Sequence, residues 1–336
     1  MLIKIIHTII VVTYNQEEYI STALDSVLVG PRRADEIIII DDCSTDLTFK
    51  KLLSYKKKYP SIINVIRNTK NLGVTENLNK LFKIPVRGNV ISILAGDDFY
   101  DKTLLDEIEK KIISSKLNPN IDAFMMLPDV ANIYPDQSIQ LLNNSIITKK
   151  LNASPFQIAL RSKLYTQQVG TSIALYKKWT LYPKKAMDNI GLYADLIQFV
   201  TNVRKCKYFI PFHTAKAFHR VGVGVTSQTQ IISPQKSRYL AMKIIANEHK
   251  AILDLSDKLY IKFSMSIDSI YFSKSMLSIG QTFFYLPMAI IFDRVDKMYY
   301  FHTLNNLFID ILNNVRKSSL LILNRLIIND ANKKSK

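Results

Sequence analysis

Between residues 8 and 100 the chain alternates apolar runs with stretches of helical spacing, and this alternation restricts the fold more than any other feature. Thr8–Val12, Glu36–Ile40, Ile62–Ile66 and the run starting at Val90 are rich in Ile, Val and Leu. They lack a polar face, as strands buried on both sides do. Between them, Glu17–Val29 places Tyr19, Ile20, Ala23, Leu24, Val27 and Leu28 on one helical face, and Gly30-Pro31 ends it. Thr48–Tyr59 reads as a helix with a basic outer face, and Thr75–Phe82 as a helix after the turn Asn71-Leu72-Gly73. Strand–helix repetition specifies an α/β fold built on a Rossmann-like, doubly wound, mostly parallel sheet. Ligands of such sheets bind at the carboxyl ends of the strands. Here the first, second and fourth strands end in Thr13-Tyr14-Asn15, Asp41–Asp46 and Asp97-Asp98.

The acid pair at the end of Val90–Tyr100 has two readings. Adjacent carboxylates repel, and neither is easily buried alone. A hard divalent cation such as Mg²⁺ or Mn²⁺ removes the conflict and shares its oxygen ligands with phosphates. The simpler reading makes Asp98 or Asp101 the cap of a helix that begins near Leu104.

Beyond residue 100 the pattern loosens. Asp122–Leu127 and Ala131–Tyr134 read as strands of a second, smaller and less regular sheet, followed by a strand-like Gly170–Tyr176. Asn189–Lys205 has amphipathic helical spacing and carries Asp195 near its start, Lys207–Pro211 is a further strand, and His219–Gln228 reads as a glycine-rich loop. After Pro234 the chain turns mainly helical and basic. These shifts divide it into 1–230, with halves 1–100 and 101–230, and a helical region 231–336.

Composition narrows the partners. A formal net charge of +17 favours anionic ones, and 48% hydrophobic residues argue against disorder. Two cysteines make no disulfide framework, which suits a reducing, cytoplasmic setting. The apolar start Met1–Val12 mimics a signal peptide, but His7 interrupts it and no small-residue cleavage site follows, so it reads as the first strand.

Four motifs in order carry a family resemblance: Ile10–Asn15, Ile38–Asp46, Asn71–Val74 and Ala95-Gly96-Asp97-Asp98. Together they resemble family 2 glycosyltransferases of the GT-A fold, over about residues 5–228. The resemblance implies an inverting transfer from a nucleotide-sugar donor, UDP-linked, to a glycan or lipid-linked acceptor, in bacterial surface-polysaccharide synthesis. It implies that Thr13, Tyr14, Asn15, Glu17, Asp41, Asp42, Asn71 and Gly73 hold the nucleotide, with Asp97 on the donor and Asp97 and Asp98 on Mg²⁺ or Mn²⁺. Ala95 stands where many members carry an acid, and Leu78 where an Arg is frequent; Arg67 and Lys70 are the alternative basic contacts.

Asp195 in Leu192–Ile197 matches the family's catalytic-base position, with Ala194 in place of the usual Glu. By residue pattern alone Asp195 reads first as a first-turn acid complementing a helix dipole; the resemblance favours the base, with Asp188 as the alternative. His219-Arg220-Val221-Gly222 resembles the loop that closes over the donor, which would put His219 or Arg220 on the diphosphate. The plainer reading is a glycine-rich connection.

Ser275–Phe292 is too short and polar for a membrane span, and Leu307–Ile328 is amphipathic with Arg316, Lys317 and Arg325. Such helices either lie on the anionic inner face of the cell membrane or pack on protein, including a second copy in a homodimer. Basic residues are spread along the chain while acids gather at strand ends, which argues against nucleic acid as partner. Two rival activities are a sugar-phosphate nucleotidyltransferase and a catalytically inactive, nucleotide- or membrane-binding relative. The first would carry a glycine-rich basic loop after the first strand, where Thr13–Glu17 has none.

Overall fold

The computed structural model describes residues 4–73, 76–77, 80, 84–142, 160, 172–174, 197, 200, 203–223, 234–248, 250–273, 281–282 and 285–286. The chain divides into two compact units, Met1–Lys250 and Ala251–Lys336.

The first unit opens with β1 (His7–Thr13), α1 (Ile20–Leu28), β2 (Glu36–Asp41), α2 (Thr48–Lys58), β3 (Ile63–Arg67) and β4 (Val90–Ala95). It continues with β5 (Phe99–Tyr100), α3 (Leu104–Ser114), β6 (Phe124–Ile133), β7 (Ile139–Leu142), β8 (Ser172–Ala174), β9 (Tyr208–Arg220) and α4 (Pro234–Glu248). β1 pairs in parallel with β2 and β4, and β2 with β3. The order β3-β2-β1-β4 is that of a doubly wound half-sheet.

The strands after β4 form a mixed half that continues this sheet. β8 pairs antiparallel with both β4 and β6, and β9 runs parallel to β6. Two antiparallel steps and one parallel step bring the carboxyl end of β9 to the same edge as the carboxyl end of β4. This is why Arg220 returns to Asp98 across 122 residues of sequence.

The sheet is buried on both faces. Ile9, Val11, Ile37, Ile39 and Leu94 pack with Ile20, Leu24 and Val27 of α1, Leu52 of α2 and Leu104 and Ile108 of α3. Ile10, Ile40 and Ile91 face the other way with Val12 and Ile93. Each fully buried Ile or Leu contributes about 1.5–3 kcal/mol of transfer free energy, so the continuous apolar runs of the sequence are what the sheet needs.

Three expectations are corrected. Asp122–Leu127 and Ala131–Tyr134 are one strand, β6, whose register to β9 shifts between Pro128 and Asp129. The β9 partners of Pro128 and Asp129 are Phe212 and Lys216, so the extra residues bulge out of β9 while β6 runs on unbroken. Lys207–Pro211 likewise continues to Arg220 as β9, so His219 and Arg220 end a strand and do not lie in a loop. And Asp101, not Asp98, turns the chain into α3, its carboxylate accepting the Thr103 N–H at 2.9 Å and hydroxyl at 2.6 Å. The expected helices Thr75–Phe82 and Asn189–Lys205 fall mostly outside the described residues.

In the second unit, α5 (Leu255–Ser273) buries Leu259, Tyr260, Ile261, Phe263 and Ile267. Thr282 donates its hydroxyl to Ser266 Oγ at 3.0 Å. Among the described residues, no helix is long and apolar enough to cross a membrane.

Candidate functional site

The turn after β1 is stitched to the turn after β2 by side chains. Asn15, at φ +51°, donates its N–H to Ser44 Oγ at 3.0 Å and accepts the Thr45 N–H on its side-chain oxygen at 2.8 Å. Asn tolerates this left-handed conformation better than most residues. The Gln16 N–H donates to Thr48 Oγ1 at 2.8 Å, the Glu17 N–H to Asp46 Oδ2 at 3.0 Å, and the Glu17 carboxylate accepts the Leu47 N–H at 2.7 Å. Asn15 and Glu17 therefore hold two loops together. Tyr14 is half-buried.

Asp41 and Asp42, both buried, act in different directions. Asp41 accepts the Ser44 hydroxyl and pairs with Arg67, Nε to Oδ2 at 3.2 Å. Burial pushes its carboxyl above the ordinary range, against the pull of Ser44 and Arg67. The Arg67 guanidinium also caps the Phe49 ring at 4.1 Å and donates to Ser44 O at 2.8 Å. Asp42 turns to the loop after β3: Oδ1 accepts Asn68 Nδ2 at 2.7 Å and the Leu72 N–H at 2.8 Å, and Oδ2 the Gly73 N–H at 2.9 Å. Gly73 sits at φ +78°, a conformation glycine adopts without penalty.

The acid pair follows β4 in a tight turn. The Gly96 N–H donates to Val12 O at 2.9 Å, which presses Gly96 onto the end of β1. A Cβ there would collide with Gln16 Oε1 and with Thr13 Oγ1, the latter at 2.7 Å. Thr13 donates its hydroxyl to Gln16 Oε1 at 2.7 Å, and the Gln16 side chain hydrogen-bonds the Asp97 carboxylate. A relay from Thr13 through Gln16 thus orients Asp97. Burial raises the pKa of Asp97. Asp98 is raised further, by burial first and then by the charge of Asp97.

The end of β9 closes this corner. The Arg220 N–H donates to Asp98 Oδ1 at 3.0 Å, and its guanidinium donates to the Asp97 carbonyl. The guanidinium lies 4.9 Å from the Tyr19 ring centre and 4.6 Å from that of Phe99, which stacks on Phe218 at 4.6 Å. Burial lowers the Arg220 pKa, and the two acids work against that. His219 lies on the opposite face of the strand, Nδ1 3.2 Å from Asn132 Oδ1, and burial pushes it down to about 4. Successive strand residues point to opposite faces, so only Arg220 joins the acid pair. The expectation that either residue could meet the diphosphate narrows to Arg220.

Thr13, Tyr14, Asn15, Glu17, Asp41, Asp42, Asn71, Gly73, Asp97, Asp98 and Arg220 all lie along one sheet edge. Asp195 and Asp188 lie outside the described residues. Gln16, Tyr19, Asn68 and Phe99 take part without having been singled out in the sequence. Asn68 carried a signal, since it closes the third strand at the same edge.

Among the described residues, no group of three or more His, Cys, Asp or Glu side chains converges as a metal cage. The acid pair nevertheless suits Mg²⁺ or Mn²⁺. Asp98 stays raised by burial and by the charge of Asp97 despite Arg220, and such ions are often held by one or two carboxylates plus substrate phosphates.

Residues 8–158 match the model of glycosyl transferase family 2. A stretch of 94 residues, 27% of the chain, is 35% identical to a poly(ribitol-phosphate) beta-glucosyltransferase of Bacillus spizizenii, covering 15% of that protein. The chain spans 28% of the length of the first curated relatives it matches, uncharacterized Mycobacterium proteins 35% identical over 100 residues. S. aureus TarS 1–349 in complex with UDP superposes with a TM-score of 0.58 at 16% identity, over 93% of this chain and 92% of that one. The same protein in complex with UDP-GlcNAc gives 0.55 at 18% identity, over 88% and 82%. Mannosyltransferase PcManGT from Pyrobaculum calidifontis, in complex with GDP-Man and Mn²⁺, gives 0.51 at 15% identity, over 93% and 87%. The architecture is the GT-A fold.

Proposed function

We propose that this chain, whose residues 8–158 match the model of glycosyl transferase family 2, transfers a sugar from a UDP-sugar to an acceptor hydroxyl, with inversion. The observation that carries this reading is the convergence of Asp97, Asp98 and Arg220 at the edge where the loops after β1, β2 and β3 end. A nucleoside diphosphate has a polar base and ribose at one end and two phosphates at the other. The loops of Tyr14, Asp42 and Asn71 suit the first end, and the Arg220 guanidinium the second.

In the proposed reaction Asp195 takes the proton of the acceptor hydroxyl as its oxygen attacks the anomeric carbon. The bond from that carbon to the phosphate oxygen breaks, and the nucleoside diphosphate leaves with the electron pair. Arg220 places positive charge where the leaving group gains negative charge. Asp97 and Asp98 would hold Mg²⁺ or Mn²⁺, which supplies further neutralisation of the diphosphate. The UDP complexes of TarS support uridine as the nucleoside.

The acceptor is proposed to be a growing cell-wall or surface polysaccharide, glycan or lipid-linked, at the cytoplasmic face of the membrane. The net charge of +17 suits an anionic, phosphate-bearing acceptor, as does the poly(ribitol-phosphate) named for the Bacillus spizizenii relative. Calorimetric titration with UDP, GDP and CDP, each with and without Mn²⁺, tests the reading. Selective, Mn²⁺-enhanced binding of UDP supports it, and failure of all three nucleotides to bind refutes it.

A further inference from the structure

Helix α2 is basic and holds no acid. Thr48–Lys58 contains Lys50, Lys51, Lys56, Lys57 and Lys58, with neither Asp nor Glu. Two of these lysines are used within the fold. Lys51 Nζ donates to Glu17 O at 2.6 Å, and Lys56 Nζ donates to Pro60 O at 3.2 Å and to Ile63 O. Thr48 and Leu52 are buried, and Phe49 and Tyr55 pack on the core. The exposed residues of the helix and its cap are Leu47, Lys50, Leu53, Ser54, Lys57 and Lys58. With about 3.6 residues per turn they share one arc of roughly 140°. The outer face of α2 therefore carries three lysines and two leucines.

A helix face that only meets water mixes its charges, as α3 does, where Lys110 pairs with Asp106 at 2.8 Å and with Glu107 at 3.0 Å. Around α2 the nearby acids are engaged by the fold. Asp46 accepts the N–H groups of Thr48 and Glu17, the Glu17 carboxylate accepts that of Leu47, and Asp25 accepts the Tyr55 hydroxyl at 2.9 Å. Among the described residues, no acid pairs with Lys50, Lys57 or Lys58. Lys57 and Lys58 suit the negative end of the helix dipole, but Lys50 stands in the first turn, where the dipole disfavours a cation. Leu47 and Leu53 are 55% and 48% exposed. Unpaired positive charge and open apolar surface thus share one face, and the packing of α2 requires neither.

We infer that the outer face of α2 docks the chain onto an anionic lipid surface, with Lys50, Lys57 and Lys58 on headgroup phosphates and Leu47 and Leu53 at the boundary of the acyl chains. Lysine, a point charge on a flexible stem, suits headgroups that move. A dissolved polyanion would use the lysines and leave both leucines in water. The position of α2 fits the site. The helix starts at the carboxyl ends of the strands, where the Leu47 N–H is held by Glu17 of the loop after β1. A chain resting on α2 keeps that edge beside the headgroups. That the edge meets a lipid-linked acceptor there rests on the transferase reading, whereas the docking face does not.

The test is co-sedimentation of the full chain with vesicles of phosphatidylcholine, alone or with an equal part of phosphatidylglycerol. The wild type is expected to bind the anionic vesicles, less so as salt is added, and not the neutral ones. Each lysine at such a surface is worth about five-fold in partitioning, so Lys50→Gln/Lys57→Gln/Lys58→Gln should bind about a hundred-fold more weakly. The control Lys102→Gln/Lys116→Gln/Lys207→Gln removes the same charge from exposed positions outside α2 and should bind like the wild type. Leu53→Ser should bind about five-fold more weakly, since half of a leucine side chain is open to enter the lipid. All these positions are exposed, so folding is not at stake. Equal losses in the two triple variants would show that net charge alone acts and overturn the inference. Undiminished binding of the α2 triple variant would place the contact elsewhere and overturn it too. Unchanged binding of Leu53→Ser, with soluble polyphosphate lost in parallel by the α2 triple variant, would make the face a polyanion site. A wild type that ignores anionic vesicles refutes the docking whatever nucleotide it binds, and titration with UDP decides the transferase reading separately.

Discussion

The backbone N–H of Arg220 donates to the carboxylate of Asp98 at 3.0 Å, so the last residue of β9 is fixed to the acid pair by its main chain while its guanidinium is held separately between Tyr19 and Phe99. The two attachments can be separated by mutation. Arg220→Ala keeps the backbone donor and removes the cation. It is expected to weaken UDP by about ten- to a hundred-fold, in line with the loss of one or two charge-assisted bonds, and to leave uridine binding unchanged. Calorimetry with UDP and uridine on both proteins checks this. Equal losses for the two ligands would show that Arg220 shapes the pocket without meeting the phosphates.

Gly96 is tested by its hydrogen. Its Cβ-bearing variant, Gly96→Ala, pushes into Gln16 Oε1 and Thr13 Oγ1. Overpacking of this kind costs about 1–3 kcal/mol, read by urea unfolding. Because Gln16 orients Asp97, Mn²⁺-dependent UDP binding should fall as well. Truncating the neighbour in Gln16→Ala/Gly96→Ala should recover only part of the stability, since Thr13 Oγ1 and Cβ still stand 2.7 and 2.8 Å from the new Cβ, and should not recover binding. Full stability in the single variant would remove Gln16 from its role.

His7 gives the chain a pH dependence away from the site. It is fully buried, neither ring nitrogen has a hydrogen-bond partner, and burial pushes its pKa down to about 3, aided by the Arg32 charge. The Glu109 carboxylate 3.9 Å away is engaged by Arg32 at 2.6 Å and does not offset this. The unfolded chain binds a proton near pH 6.5, so below that pH the unfolded state holds more protons than the native one. Stability is then complete above about pH 6.5 and falls with pH through pH 5, by at most about 1.4 kcal/mol per pH unit for this group. His219, pushed down to about 4, acts in the same direction, and the raised Asp97 and Asp98 act oppositely. Comparing wild type with His7→Leu at pH 7.5, 6 and 5 cancels those contributions. The variant should gain on the wild type as pH falls, and a constant difference would show that His7 is not held neutral.

Asp195→Asn separates chemistry from binding. Loss of a general base lowers turnover by about 10²- to 10⁴-fold, while UDP affinity should stay within error. Transfer assayed with UDP-sugar donors, alongside calorimetry, reads both. Unchanged turnover would move the base elsewhere, with Asp188 next to test.

Much of the parallel half was legible before any coordinates. Strands Thr8–Val12, Glu36–Ile40 and Ile62–Ile66 lie within a residue or two of β1, β2 and β3; β1 and β2, buried on both faces, leave an uninterrupted apolar signature, while the edge strand β3 exposes Asn64 and Arg67. The mixed half was less legible. Pro128 sits inside β6 yet looks in sequence like a break, so β6 was read as two pieces. The strand end at His219-Arg220 was masked by the glycine two residues later.

The sequence by itself determined the alternation of strand and helix, and with it the edge where polar residues would gather, because periodicity and burial are local properties of the chain. Which side chains do what along that edge was decided by tertiary structure. Asp41 and Asp42 are neighbours with the same chemistry, yet one reaches Ser44 and Arg67 and the other the loop after β3, since adjacent residues leave a strand in opposite directions. Arg220 meets Asp98 only because the intervening strands cross the sheet twice antiparallel and once parallel. Contacts so distant in sequence leave no periodic trace, and only the folded sheet brings them together.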